Sequence, residues 1–183
     1  MPIRAEKKAK RTVTASFRID EESLSALQEE ASRNGVSLNT LVNQSLTAHA
    51  KTNRFGPTRP MRVSQTLFRR FFDAIPDDEL IPIATERAGE YAKIVIKTRY
   101  GGLNLRNILR FEYDLCQYFG WGVYSERPLE RGRLLVTIEH TLGKKYSMYT
   151  SHLVKTMLEM VGLRPEIAET DGAVIIEIPN VSP

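Results

Sequence analysis

Apolar and polar side chains alternate near the start of the chain. Residues 11–20 read RTVTASFRID, in which every second side chain is apolar. A period of two is typical of a β-strand that has one apolar and one polar face. The apolar positions are Val13, Ala15, Phe17 and Ile19, and the polar positions are Thr12, Thr14, Ser16 and Arg18.

The spacing then becomes helical, and two short helices are predicted. Asp20 is of a residue type that caps helices and is followed by two glutamates, so the first helix should span residues 21–33. The Asn-Gly pair at 34–35 should end this helix, because both residues tolerate the left-handed conformation of a helix C-terminus. Ser37 is the next capping residue, and the second helix should span residues 38–50.

A segment that disfavours regular structure follows the second helix. Residues 51–63 contain one glycine and two prolines, which interrupt helices and strands. This composition is typical of a domain boundary. We therefore divide the chain into a basic flexible arm (1–10), a strand–helix–helix domain (11–50), a linker (51–63) and a C-terminal domain (64–183).

The C-terminal domain combines helical spacing with strand-like segments. Its last strands should flank the Asp171-Gly172 pair, which is a strong hairpin signal. The predicted fold class is therefore α+β, with helices followed by an antiparallel sheet. The predicted helices are 64–74, 77–88 with a possible extension toward Ile96, 103–119 and 145–161, and the other predicted strands are 122–125 and 133–140.

Charge divides the chain into a basic and an acidic part. Residues 1–72 contain 13 Lys+Arg against 6 Asp+Glu, whereas residues 73–183 contain 13 against 16. No acidic residue lies between Glu30 and Asp73. This asymmetry favours a polyanion-binding module joined to a domain with another task, although a solvated basic surface without a partner is the alternative.

Composition also indicates the compartment. No apolar run approaches the roughly 20 residues that cross a bilayer, and the basic N-terminus is not followed by the apolar core of a secretory signal. The only cysteine, Cys116, lies in an apolar helical stretch and should be a buried thiol. We expect a cytoplasmic, nucleoid-associated protein that does not contact membranes.

The strand and two helices make an incomplete unit for a single chain. An unpaired strand is unstable, and about fifty residues bury too little apolar area to fold alone. A two-fold dimer resolves both problems, since two strands pair antiparallel above a core formed by four helices. The polar side chains Thr14, Ser16 and Arg18 then face outward, and such a pair of strands fits the DNA major groove.

These pieces resemble the ribbon-helix-helix family of DNA-binding proteins, of the Arc/MetJ/CopG type. The resemblance covers residues 11–50 and is carried by TASFRID, EESLSALQEEASRNG and NGVSLNTLV. It implies double-stranded DNA as the partner and base contacts by Thr14, Ser16 and Arg18. It also implies phosphate contacts at the start of the second helix, to which the preceding basic arm adds. The phosphate-contacting residues would be Lys8, Lys10, Arg11, Ser37, Leu38 and Asn39.

The C-terminal domain carries no clear chemical motif. His140 and His152 match no common metal-ligand spacing, and no nucleophile–base pattern or phosphate loop is present, so we expect neither an enzyme nor a bound metal or cofactor. Lys144 and Lys145 follow Gly143 at a predicted helix start, which favours a solvated helix end over an anion site. An aromatic group could line an effector pocket or simply pack in the core. Its members are Tyr113, Tyr118, Phe119, Trp121 and Tyr124.

The leading functional hypothesis is a sequence-specific transcription regulator, acting as a repressor, that binds DNA as a dimer or a dimer of dimers. The C-terminal domain would then oligomerise and bind a small-molecule or protein effector. One alternative is an antitoxin that represses its own operon and inhibits a toxin. Another is an architectural protein that binds DNA without sequence preference.

Overall fold

The computed structural model describes residues 12–52 and 63–179. Chain contacts separate the protein into two units, residues 1–47 and 48–183. The basic arm, Arg11 and most of the predicted linker lie outside the described residues.

The two predicted helices are present, and the second extends five residues past the boundary of the N-terminal unit. Helix α1 spans Glu21–Arg33 and helix α2 spans Leu38–Thr52. The backbone N–H of Ser23 donates to the Asp20 carboxylate at 2.8 Å, so Asp20 caps α1 as predicted. Gly35 adopts φ +63°, and the N–H of Val36 returns to the carbonyl of Ala31, which ends the helix.

The segment before α1 differs from its predicted strand. Residues 12–20 belong to no helix or strand, and no described hydrogen bond joins residues 12–19 to another segment. A strand is defined by hydrogen bonds to a neighbouring strand, and the described residues of this chain supply no partner for one here. The alternating pattern therefore does not form a β-strand within the described part of a single chain.

The C-terminal unit is α+β, as the sequence predicts. Its helices lie mostly before an antiparallel sheet of order β1-β2-β4-β3, and one helix is inserted between β2 and β3. The helices are α3 (Gln65–Ala74), α4 (Asp77–Glu86), α5 (Lys93–Tyr100), α6 (Leu105–Phe119) and α7 (Lys144–Glu159), and the strands are β1 (Val123–Leu129), β2 (Arg133–Glu139), β3 (Glu166–Glu169) and β4 (Ala173–Ile178).

Two elements of this unit differ from their predicted lengths. The helix predicted from residue 77 continues through a π-helical turn, Arg87–Ala92, into α5 and ends at Gly101 in the left-handed conformation. Strand β1 continues four residues past the predicted 122–125. Its residues 125–128 are all exposed, so burial produced no alternation that would have revealed them.

The core lies between one face of the sheet and helix α7. Apolar side chains from the two central strands are buried at alternating positions, and Val136 pairs with Ile176 while Ile138 pairs with Val174. Helix α7 contacts β3, β4 and α4 and contributes Met157 to this core. The alternation of β2 and β4 thus fixes which face of the sheet the helices cover.

The backbone at Gly122, just before β1, lies close to the end of β2. A Cβ placed on Gly122 would lie 2.5 Å from the carbonyl oxygen of Glu139. We expect Gly122→Ala to lower the free energy of unfolding by about 1–3 kcal/mol, because backbone must move to relieve the clash. The measurement is urea unfolding followed by Trp121 fluorescence.

Gly89→Ala is the matched control, since its added methyl would lie 3.8 Å from Met160 Cε, an ordinary contact. Its effect should be neutral or stabilising by up to ~1 kcal/mol. Equal unfolding midpoints for Gly122→Ala and Gly89→Ala would contradict the close approach.

Candidate nucleic-acid interface

The proposed base-reading residues lie on the segment before α1. Thr14, Ser16 and Arg18 are all exposed. The apolar residues between them are exposed as well: Val13 is 83%, Phe17 63% and Ile19 46% accessible. An isolated chain therefore leaves both the polar and the apolar members of the alternating pattern in solvent.

The first turn of α2 presents free backbone donors. The Ser37 hydroxyl oxygen accepts from the N–H of Thr40 at 3.1 Å and so occupies the third N–H of the helix. The N–H groups of Leu38 and Asn39 have no acceptor among the described residues. Ser37 thus caps the helix, and the backbone of the next two residues remains available to an anion.

Charge is segregated between the two helices of this unit. Helix α1 contains four glutamates, and a shallow recess along it is lined by Glu21, Glu22 and Glu29. Asp20 precedes them, and the N–H of Ser23 lowers the pKa of its carboxyl. Helix α2 contains no acidic residue. An interface for phosphate can therefore involve the start of α2 and Arg18, but not the acidic face of α1.

The described residues of the N-terminal unit contain almost no interior. Only Ala31 and Leu41 are fully buried in residues 12–47. Leu46 remains 52% exposed, although it continues the apolar stripe of α2. Two buried side chains contribute only a few kcal/mol of hydrophobic stabilisation, which cannot offset the entropy of ordering some forty residues.

The two predicted sets of contacts are placed differently by the structure. Ser37, Leu38 and Asn39 come together at one helix end, as the sequence predicts. Thr14, Ser16 and Arg18 occupy one segment, which has no strand partner among the described residues. Lys8, Lys10 and Arg11 lie outside the described residues.

Comparison with known proteins identifies no relative. No family model matches the chain, and neither the curated proteins nor the solved structures contain a significant match. Within residues 12–52 and 63–179, no helix is long and apolar enough to cross a membrane, and no three metal-ligating side chains form a group.

His140 and Ser147 form a pair that resembles a base and its nucleophile. The Ser147 hydroxyl, however, does not donate its hydrogen to the histidine, as an activated nucleophile would. The Ser147 hydroxyl donates to the carbonyl of Thr170 at 2.5 Å, so it accepts from Nε2 of His140 at 2.9 Å. Nδ1 of His140 accepts from the N–H of Leu142. Burial lowers the pKa of His140 and favours this neutral form. The pair fastens the loop before α7 to the loop after β3.

The predicted aromatic group does not form one pocket. Trp121 packs with Phe68 and Tyr146, at ring-centroid distances of 5.8 and 6.2 Å. Tyr124 instead packs edge-to-face with Tyr113, at 5.8 Å. These aromatic side chains belong to two packing groups, and Trp121 extends the core of the unit.

Sequence reasoning missed a buried carboxyl group on α6. Glu112 is 4% exposed, and its Oε1 has no hydrogen-bond partner within the described part of the chain. Burial raises the pKa of Glu112 to about 8, and the guanidinium of Arg87 in the π-helical turn opposes that shift. The signal was present, because Glu112 stands four residues after Ile108 and four before Cys116, on the apolar face of α6.

Two groups that the Glu112 charge affects, Cys116 and Tyr149, also favour their neutral forms. Burial raises the pKa of the Cys116 thiol to about 12, with the Glu112 charge adding to the shift. Burial also raises the pKa of Tyr149 to about 12. A thiol with so high a pKa is a poor nucleophile, so Cys116 acts as a buried apolar group.

The Glu112 carboxyl should make stability fall as pH rises. Its pKa is higher in the folded chain than its ordinary value of 4.5, so the folded state binds the extra proton between pH 4.5 and about 8. We expect Glu112→Gln to unfold at increasingly higher temperature than wild type across this range. The difference should grow by up to ~1.4 kcal/mol per pH unit. Thermal unfolding monitored by Trp121 fluorescence measures it.

Glu130→Gln is the control, since Glu130 is exposed. His140 contributes equally to all three proteins, so the difference between curves isolates Glu112. A constant gap between Glu112→Gln and wild type from pH 5 to pH 8 would contradict the elevated pKa.

Proposed function

We propose that the protein is a dimeric, sequence-specific DNA-binding regulator that reads DNA with a two-stranded ribbon formed by residues 11–20 of two copies. The observation that carries this proposal is the exposed strip of Val13, Phe17 and Ile19 on a segment that has no strand partner among the described residues. Apolar side chains at strand spacing require a second apolar surface. A second copy of the same segment supplies one.

Dimerisation supplies both missing elements at once. Antiparallel pairing of two copies satisfies the backbone N–H and C=O groups of the ribbon. The apolar strip then covers the exposed side of α1 and α2, including Leu46, so that four helices share one core. A two-fold axis perpendicular to the ribbon keeps equivalent side chains on the same face. Thr14, Ser16 and Arg18 of both copies therefore project together.

This polar face has the chemistry that reads base edges. The guanidinium of Arg18 matches O6 and N7 of guanine as a bidentate donor, and the hydroxyls of Thr14 and Ser16 donate or accept. The free N–H groups of Leu38 and Asn39 hold a DNA phosphate on each side of the ribbon. Bound at a promoter in the cytoplasm, such a dimer acts as a repressor.

The C-terminal unit enters this proposal as an oligomerisation and effector-binding domain. It has its own core, built from five helices and four strands among the described residues. An antitoxin whose C-terminus folds only on its toxin would present a short tail without such a core. The folded unit therefore favours a regulator over the antitoxin alternative. A stable complex with the product of a neighbouring small gene would reverse that preference.

Removing the centre of the apolar strip should dissociate the dimer. Phe17→Ser deletes a large apolar side chain from each copy, and burial of one such side chain contributes roughly 1.5–3 kcal/mol. We therefore expect the dimer dissociation constant to rise by about a hundredfold or more. Sedimentation velocity over a concentration series measures it.

Ser16→Ala changes the opposite face of the same segment and should leave the dimer intact. A wild-type protein that stays monomeric at micromolar concentration, or an unchanged constant in Phe17→Ser, would remove the basis of the ribbon.

Sequence preference should depend on Arg18. We expect wild type to bind the duplex upstream of its own gene more tightly than a scrambled duplex, and Arg18→Ala to lose most of that preference. One bidentate arginine–guanine pair contributes about 1–3 kcal/mol of discrimination. Fluorescence anisotropy over a salt series measures both duplexes.

Arg33→Ala is the matched control, because Arg33 is an exposed arginine at the end of α1, 3.9 Å from Glu29. It should retain the preference. Equal, salt-sensitive binding of wild type to both duplexes would establish an architectural protein instead. Absence of binding at low salt would reduce the ribbon to a dimerisation device.

A further inference from the structure

A stretch of the C-terminal unit, away from residues 11–20 in sequence, contains basic residues and no acidic ones. We define the α5–α6 hairpin as residues 93–111, which comprise α5, its following turn and the first half of α6. It contains five Lys+Arg and no Asp or Glu. The rest of residues 73–183 contains 8 Lys+Arg against 16 Asp+Glu, so positive charge is concentrated here within an acidic region.

Four of the five basic residues of the hairpin stand in pairs along its two helices. Lys93 and Lys97 stand one helical turn apart on α5, and Arg106 and Arg110 stand one turn apart on α6. Lys97, Arg106 and Arg110 are exposed, and Lys93 is half-buried. None of these four side chains forms a salt bridge in the described part of the chain. Their charge is therefore not neutralised by the protein.

The turn of the hairpin is fixed by hydrogen bonds. The side-chain amide of Asn107 donates to the carbonyls of Tyr100 and Gly102, at 3.0 and 2.8 Å. The hydroxyl of Tyr100 donates to the Asp114 carboxylate at 2.8 Å, and the guanidinium carbon of Arg110 lies 5.6 Å from the Tyr100 ring. The basic residues of both helices consequently keep a fixed spacing, which favours recognition of a regular array of charges.

Helix stability alone does not account for this arrangement. Basic residues in the last turn of α5 interact favourably with the negative end of the helix dipole. Arg106, however, stands in the first turn of α6, where the dipole repels a cation and where no acidic residue is present. An external anion bound at this surface would stabilise the N-terminus of α6 and Arg106 together.

We propose that the α5–α6 hairpin is a second DNA-binding surface, which contacts the phosphate backbone of the same duplex that the ribbon reads. This inference rests on the proposed DNA-binding function. The contact is electrostatic and independent of sequence, because lysine and arginine on exposed helix faces meet phosphates rather than base edges. Covalent connection to the ribbon raises the effective concentration of the hairpin at the DNA, so a weak contact adds to affinity.

The test separates the hairpin from the ribbon through the salt dependence of binding. In the full chain, Lys97→Gln/Arg106→Gln should weaken binding to the native and scrambled duplexes equally and leave their ratio unchanged. Each lost phosphate contact lowers the slope of log Kobs against log salt by about 0.9, so the double variant should lose about one to two. The measurement is anisotropy between roughly 50 and 200 mM salt.

Lys155→Gln/Arg164→Gln is the matched control, with the same change in net charge at two exposed sites of the same unit. If Lys97→Gln/Arg106→Gln has the same salt slope as this control, the hairpin inference is overturned. The proposed function still stands in that case, provided that wild type prefers the native duplex. The opposite result, a reduced slope without any wild-type preference, supports the hairpin and overturns sequence-specific regulation. Loss of binding to anionic lipid vesicles with unchanged DNA binding would assign the surface to membranes and overturn the inference.

Discussion

The constraint on which the N-terminal unit depends is that the described part of the chain leaves most of its apolar side chains exposed. Within residues 12–47, its two short helices bury only Ala31 and Leu41. All four apolar residues of the alternating segment, which are Val13, Ala15, Phe17 and Ile19, are exposed to water. Hydrophobic burial scales with area, so a unit of this size buries too little to be stable by itself. In the proposed dimer, folding and assembly would be one process.

The C-terminal unit meets the same constraint within its own chain. Alternating residues of β2 and β4 face α7, and a network of aromatic rings around Tyr146 joins α3 to that core. Glu112 is a polar exception in the interior of the described residues, since its carboxyl is buried and only the charge of Arg87 opposes the effect of its desolvation on the pKa. A group of this kind costs stability at neutral pH, which is unusual outside functional regions.

Much of this architecture could be predicted from the sequence, because local signals were strong where they existed. Asp20, Gly35 and Ser37 carry the capping chemistry that sets the limits of α1 and α2. The Asp171-Gly172 pair marks the turn between β3 and β4. The end of β1 gave no signal, because an exposed edge strand needs no apolar alternation. The π-helical turn, which contacts α7, was also unpredictable, because the sequence pattern carries no signal for its extra residue.

Local signals located some of the candidate site residues, and long-range packing determined the others. Residues that act through a local arrangement, such as Ser37 and the N–H groups after it, were located from spacing alone. The proposed pairing of Thr14, Ser16 and Arg18 across a ribbon would need a second molecule, so no single-chain pattern can fix its register. The separation of Trp121 from Tyr124 depends on long-range packing with Phe68 and Tyr146, which spacing does not encode. Glu112 was detectable only as an anomaly in an apolar stripe.

The edge strand β1 has a consequence for how copies of this chain recognise each other. Its exposed portion carries Glu126, Arg127 and Pro128, and it lies at the end of the sheet. Two-fold pairing centred on Glu126 or on Arg127 would set that charge against its own copy, and Pro128 offers no N–H. The sheet is thus protected from edge-to-edge growth at β1, whereas residues 12–20 carry no such protection. Under the proposed ribbon pairing, new chains in a crowded cell would pair through that segment rather than through β1.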